Sequence, residues 1–155
     1  MPNAPKRFVD ILNWDWSIAK YRNYNDGVIT YQAPRGDRHF KRIFNRLERD
    51  LGIETDRVRR VKDADIVCYW KNPGNNRAGV ERRARRGKHW YSEIEVEPGQ
   101  WYSKSTAVHE VGHALGLGHP DDHSRTDTIM SYGARGDLPW FTRLDRAVLS
   151  WVYEQ

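Results

Sequence analysis

A chain of 155 residues, 38% apolar and 30% charged, suits one folded domain with a modest core. Its net charge of +5, from 26 Lys and Arg against 21 Asp and Glu, permits acidic partners and specifies none. No run approaches the roughly 18 apolar residues of a membrane-spanning helix, and a single cysteine excludes an internal disulfide.

At the N-terminus, Lys6 and Arg7 are followed by no apolar run, so the segment does not read as a secretory signal. An intracellular location or export by a signal-independent route is expected. Residues 1–27 form an arm of uncertain structure. Trp14, Trp16 and Ile18 alternate with Asp15 and Ser17, which suggests a strand or an extended piece packed on the body. Asn25-Asp26-Gly27 signals a turn, and Val28 to Gln32 a short strand broken by Pro34-Arg35-Gly36.

Phe40, Ile43, Phe44, Leu47 and Leu51 recur at three- and four-residue steps and predict a helix, with Gly52 as its C-terminal cap. Arg57–Val61 and Asp65–Trp70 read as strands. The second is nearly all apolar and therefore central, with Cys68 as a buried thiol beside Ile66 and Trp70. Ala78 to Lys88 is short and strongly basic. Trp90 to Val96 alternates as a strand, with Trp90, Ser92, Ile94 and Val96 on one face.

Ser103 or Ser105 is placed to cap a helix through Ala107–Leu115 that Gly116 stops, and Pro120 to Gly136 reads as loop. Thr142 and Asp145 then open a last helix in a capping-box arrangement, with Leu144, Val148, Trp151 and Val152 on its buried face. Strands and helices do not strictly alternate. The expected class is α+β, one domain over residues 1–155.

His109-Glu110-Val111-Gly112-His113 carries the chemistry. Histidines four apart on a helix share one face, one turn apart, so both reach a single ion at distances of about 2.0–2.1 Å. Glu110 is placed to contact a water on that ion without ligating it. Glycine at 116 takes a positive φ at no steric cost, and His119 arrives on the returning chain as a third ligand. Three neutral imidazoles leave a fourth position open, as in catalytic rather than structural zinc sites. The alternative, a surface histidine pair, is weakened by the two extra positions Gly116 and His119, which cut coincidence by on the order of several hundred-fold. His39, His89 and His123 match no ligand spacing. Asp121 and Asp122 read as a polar loop.

The run His109 to His119 resembles the long zinc-binding consensus of the metzincin metallopeptidases, and Thr128-Ile129-Met130-Ser131-Tyr132 resembles their Met-turn. Pro120 directly after the third histidine, and Tyr132 two residues after Met130, look most like the serralysin and astacin side of the group. The resemblance implies a zincin domain: a twisted mixed sheet of about five strands with a backing helix, an active-site helix and a C-terminal helix. It further implies one catalytic Zn2+ on His109, His113 and His119, with Glu110 as general base and Tyr132 helping at the transition state. It implies endopeptidase activity on a peptide or protein substrate lying extended along an edge strand near Ala78–Arg83, beside a wall formed by Gly133–Phe141, of which Trp140 and Phe141 fit a place in the core equally well. A monomer is expected.

The rival reading is a nucleic-acid-binding protein, resting on Arg77, Arg82, Arg83, Arg85, Arg86 and Lys88 and on a pI near 9.4. No aromatic interleaves that run, and basic runs are usually solvated loops. If the segment adjoins the cleft, its charge favours acidic peptide side chains instead. A catalytically silent zincin that only binds partners is disfavoured by Glu110, for which a dead site has no use.

Overall fold

The computed structural model describes residues 4–15, 27–132 and 138–153. The elements run α1 (Ala4–Ile11), β1 (Val28–Arg35), α2 (Asp37–Leu51), β2 (Glu54–Arg57), a 3-10 turn (Val61–Asp63), β3 (Ile66–Trp70), β4 (Gly79–Arg86), β5 (His89–Val96), α3 (Ser103–Leu115) and α4 (Arg143–Tyr153). This is an α+β chain with one five-stranded sheet in the order β2-β1-β3-β5-β4. The first four strands in that order pair in parallel, and β4 returns antiparallel on β5 as one edge. Among the described residues no helix is long and apolar enough to cross a membrane.

Strand period sorts the side chains onto two faces. Tyr31, Ile66, Cys68, Trp70, Ser92, Ile94 and Val96 share one face by register. Both larger helices pack there. Tyr31 stacks on Phe44 of α2 at 4.1 Å, Trp70 meets Phe40 edge-on, and α3 lies over β4 and β5. Phe40, Phe44, Leu47, Ile66, Ile94 and Leu115 are fully buried, each stabilising by about 1.5–3 kcal/mol relative to exposure. Burial pushes the Cys68 thiol well up, as befits a structural thiol. On the opposite face Arg82 pairs with Glu95 at 2.8 Å, and Arg86 lies 3.6 Å over the Tyr91 ring.

The helices at 40–51 and 107–115, the central strand and the 90–96 alternation stand as the sequence predicts. Gly52 caps α2, its N–H donating to Glu48 O. Thr142 N–H donates to Asp145 Oδ2, and Asp145 N–H back to Thr142 Oγ1, completing the capping box of α4.

Three expectations change, and a segment left unassigned takes shape. The N-terminal segment left unassigned begins with a helix: Ala4–Ile11 packs on α4, with Val9 and Leu12 buried. Phe8, Ile11 and Leu12 have helical spacing, which the later tryptophan alternation masked. Trp16, Ile18 and the turn residues Asn25 and Asp26 lie outside the described residues. The second strand is Glu54–Arg57, not Arg57–Val61, because Gln32 Nε2 donates to the Val58 and Arg59 carbonyls and replaces further strand pairing. The Gln32 Oε1 also accepts from Ala33 N–H where the register of β1 shifts, so Pro34 sits at an irregularity rather than breaking the strand. Finally, neither Ser103 nor Ser105 caps α3. The Ser103 hydroxyl donates to Glu97 O and accepts from Gln100 N–H, tying the preceding loop to the helix start.

Candidate metal centre

Helix α3 crosses the sheet beside β4 and presents His109 and His113 one turn apart toward a cleft of about 770 Å³. Gly116 ends the helix at φ +117, its N–H donating to the Gly112 and His113 carbonyls, and the chain turns back to deliver His119. The three Nε2 atoms converge: His113 to His119 at 3.0 Å, His113 to His109 at 3.1 Å and His119 to His109 at 3.4 Å. Among the described residues they form the group able to hold a metal ion.

The hydrogen bonds on the far side of two rings settle what faces the centre. His109 Nδ1–H donates to Ile129 O at 2.8 Å and His113 Nδ1–H to Leu117 O at 2.8 Å. A carbonyl only accepts, so the proton of each neutral ring is on Nδ1 and each Nε2 offers a lone pair. Two lone pairs 3.1 Å apart repel unless a cation lies between them. A tetrahedral ion with ligands at about 2.0–2.1 Å sets its nitrogens about 3.3 Å apart, close to the triangle found here. The donor set fits a divalent metal with nitrogen preference.

Beneath the ligands lies Met130, fully buried; a Cβ at Gly112 would stand 2.7 Å from its Sδ and 3.2 Å from Phe141 Cε1. The glycine between the two histidines thus lets the methionine turn pack directly against the helix. That turn is anchored from α4: Thr128 Oγ1–H and Ile129 N–H both donate to the buried Asp145 carboxyl. Burial pushes the Asp145 carboxyl above its ordinary range, against the hydrogen bonds from Thr128, Ile129 and Thr142 that pull it down.

Glu110 is buried and lines the same cleft as the histidines. Tyr132, half exposed at the rim, holds its ring 4.9 Å from that of His119. Arg77 to Glu81 form one wall, at the start of the edge strand, and the exposed Trp101 with Tyr102 contributes to the lining. Of the expected wall at Gly133–Phe141, residues 133–137 lie outside the described residues, while Trp140 and Phe141 are core.

The other histidines stay local. His39 stacks on Trp70, His89 bonds Asp65 and His123 stacks on Tyr132. Asp122 accepts from Ser124 Oγ–H and N–H, which hold its carboxyl below the usual range, and is spent on the loop. The basic run is divided between the faces of β4. Arg82 and Arg86 point away from the cleft, Arg85 lies over Trp90, and Arg83 pairs with Asp15 and Glu81.

Sequence reasoning missed Trp101 and Tyr102 as cleft residues, whereas Glu81 lies within the stretch Ala78–Arg83 that it placed beside the substrate. An aromatic in a polar loop just before α3 was the available signal for Trp101. No protein-family model matches the chain, and no characterised protein matches it.

Proposed function

We propose that the chain is a zinc-dependent endopeptidase of the metzincin kind. One observation carries the reading: three imidazole nitrogens, two of them with the lone pair fixed by the bond on the far side of the ring, converge beside a buried glutamate, in a cleft bordered by the edge strand of the described sheet.

An all-imidazole donor set suits Zn2+ held by His109, His113 and His119. When bound, the ion would supply Lewis acidity and a water that is nucleophilic near neutral pH. The residues of the chain do the rest. The Glu110 carboxylate takes the proton of the attacking water and returns it to the leaving amine. The Tyr132 hydroxyl donates to the oxyanion as it develops. The peptide lies extended along Ala78–Arg83, its backbone pairing with β4 as the edge strand of the sheet, while Trp101 and Tyr102 offer an apolar surface to one of its side chains.

The test is Glu110→Ala, assayed for casein hydrolysis and zinc content together. Zinc should stay at about one equivalent. The rate should fall by about 10²–10⁴, the usual contribution of a general base. Hydrolysis at the parent rate would sink the assignment of Glu110 and, with it, the proposed mechanism.

A further inference from the structure

The third ligand sits on a turn, not on the helix, and something must hold it. The residues after α1 run alongside that turn. Gly118 N–H donates to Leu12 O at 2.9 Å, and Asp15 N–H donates to Gly116 O at 2.8 Å. Between these two bridges the Asn13 side-chain amide donates to His119 O at 2.7 Å and to Asp121 Oδ1 at 3.1 Å. The approach leaves no room for a side chain at either glycine of the turn. A Cβ at Gly118 would run into the carbonyl oxygens of Asn13 and Leu12, and one at Gly116 would meet the Trp14 ring at 2.5 Å. Asn13 itself adopts φ +47, a conformation that asparagine tolerates better than most residues. Beyond it, Asp15 pairs with Arg83 of the edge strand, so the segment is fixed at both ends.

We propose that Asn13 is a positioning residue of the metal centre, acting through the backbone of His119, and that Leu12–Asp15 forms a clamp that sets the third imidazole. The inference rests on the metal-site reading above. The clamp connects an element distant in sequence to the ligand that lies beyond the helix. His109 and His113 stand on the helix, whereas His119 stands on a four-residue turn that the clamp flanks.

The experiment measures Zn2+ affinity by competition with a chromogenic chelator. Asn13→Gly keeps the positive φ and removes the amide; Asn13→Asp keeps the size, removes the donor and sets a second carboxylate beside Asp121. Each should weaken Zn2+ binding by about tenfold, the lower end of what an outer partner of a ligand contributes. In a His119→Ala background the Asn13→Gly change should have no further effect, because the ligand it acts through is gone. A merely structural role would lower the unfolding midpoint in EDTA and weaken binding equally in both backgrounds, and that result would overturn the proposal. Should Asn13→Gly fail to fold, Asn13→Asp carries the same comparison. A parent that binds zinc beside variants that bind it as tightly overturns the clamp alone. A parent that binds none overturns the metal centre and the clamp together.

Discussion

Gly79 and Glu110 lie against each other on the floor of the cleft: a methyl group at Gly79 would stand 3.1 Å from Glu110 Oε1 and 2.5 Å from Thr106 Cγ2. The first residue of the edge strand therefore sets how near β4 comes to α3, and where the carboxylate rests. Gly79→Ala should displace one or the other. Overpacking of this sort costs about 1–3 kcal/mol of stability. A misplacement near 1 Å can cost on the order of 10²-fold in rate. The expected outcome is a folded, zinc-loaded variant whose kcat/KM on a reporter peptide falls steeply. Parent-like kinetics would mean that the strand yields freely and the glycine has no bearing on the base.

His113 is the ligand shared by the two shortest nitrogen contacts, 3.0 and 3.1 Å. Removing it leaves a pair of imidazoles 3.4 Å apart with no third donor. His113→Ala should therefore lose most of its metal on dialysis, read by elemental analysis against about one equivalent in the parent. Protons compete for the same ring nitrogens, so the parent should release metal as pH falls through the imidazole range, about 6.5 and below. Full zinc retention in the variant would show that the ion sits elsewhere.

What the sequence made legible, and what it hid, follows from the range of each interaction. The convergence of the three histidines was readable because helical spacing puts His109 and His113 together and a glycine turn returns His119; all the information lies within eleven residues. The periodic helix at 40–51 and the apolar central strand were equally local. By contrast, the bonds from Asn13 to the His119 turn span 106 residues and leave no trace in spacing or composition. The second strand was misplaced because a side chain, Gln32, takes over carbonyls that strand pairing would otherwise satisfy. The basic run looked like one patch because sequence shows it as a line, whereas the strand sends alternate residues to opposite faces.

That alternation changes what charge on β4 can do to a substrate. Arg82 pairs with Glu95 on the face away from the cleft, and Arg86 covers Tyr91 there. Arg77 lines the cleft itself, and Arg83 reaches its border with Glu81. If acidic peptides are favoured, Arg77→Ala should reduce the preference, by up to about fivefold for an exposed pair worth about 0.2–1 kcal/mol. Neutralising Arg82 and Arg86 together should leave the ratio of kcat/KM for acidic and neutral peptides unchanged. A drop in that ratio for the Arg82 and Arg86 variant would place the substrate on the opposite face of the strand.

Asp145 gives a prediction about stability rather than turnover. Its carboxyl is fully buried and accepts from Thr128 Oγ–H, Ile129 N–H and both the Thr142 N–H and hydroxyl, joining the methionine turn to α4. Asp145→Ala leaves at least two buried donors without an acceptor, at about 1–3 kcal/mol each, and should loosen the turn under the ligands. The pH dependence follows from the raised carboxyl, whose main cause is burial of the charge. A group whose folded pKa lies above its unfolded value contributes stability that is present below the unfolded pKa and lost as pH rises through the folded one. Relative to Asp145→Asn, which does not titrate, the parent should thus gain stability as pH falls from neutral toward about 4, the ordinary aspartate value. Urea unfolding of both proteins in EDTA at several pH values across that window measures the difference without contribution from metal release. A parent advantage that shrinks on acidification would mean that the hydrogen bonds outweigh burial, and that the Asp145 carboxylate is held charged as a strong acceptor.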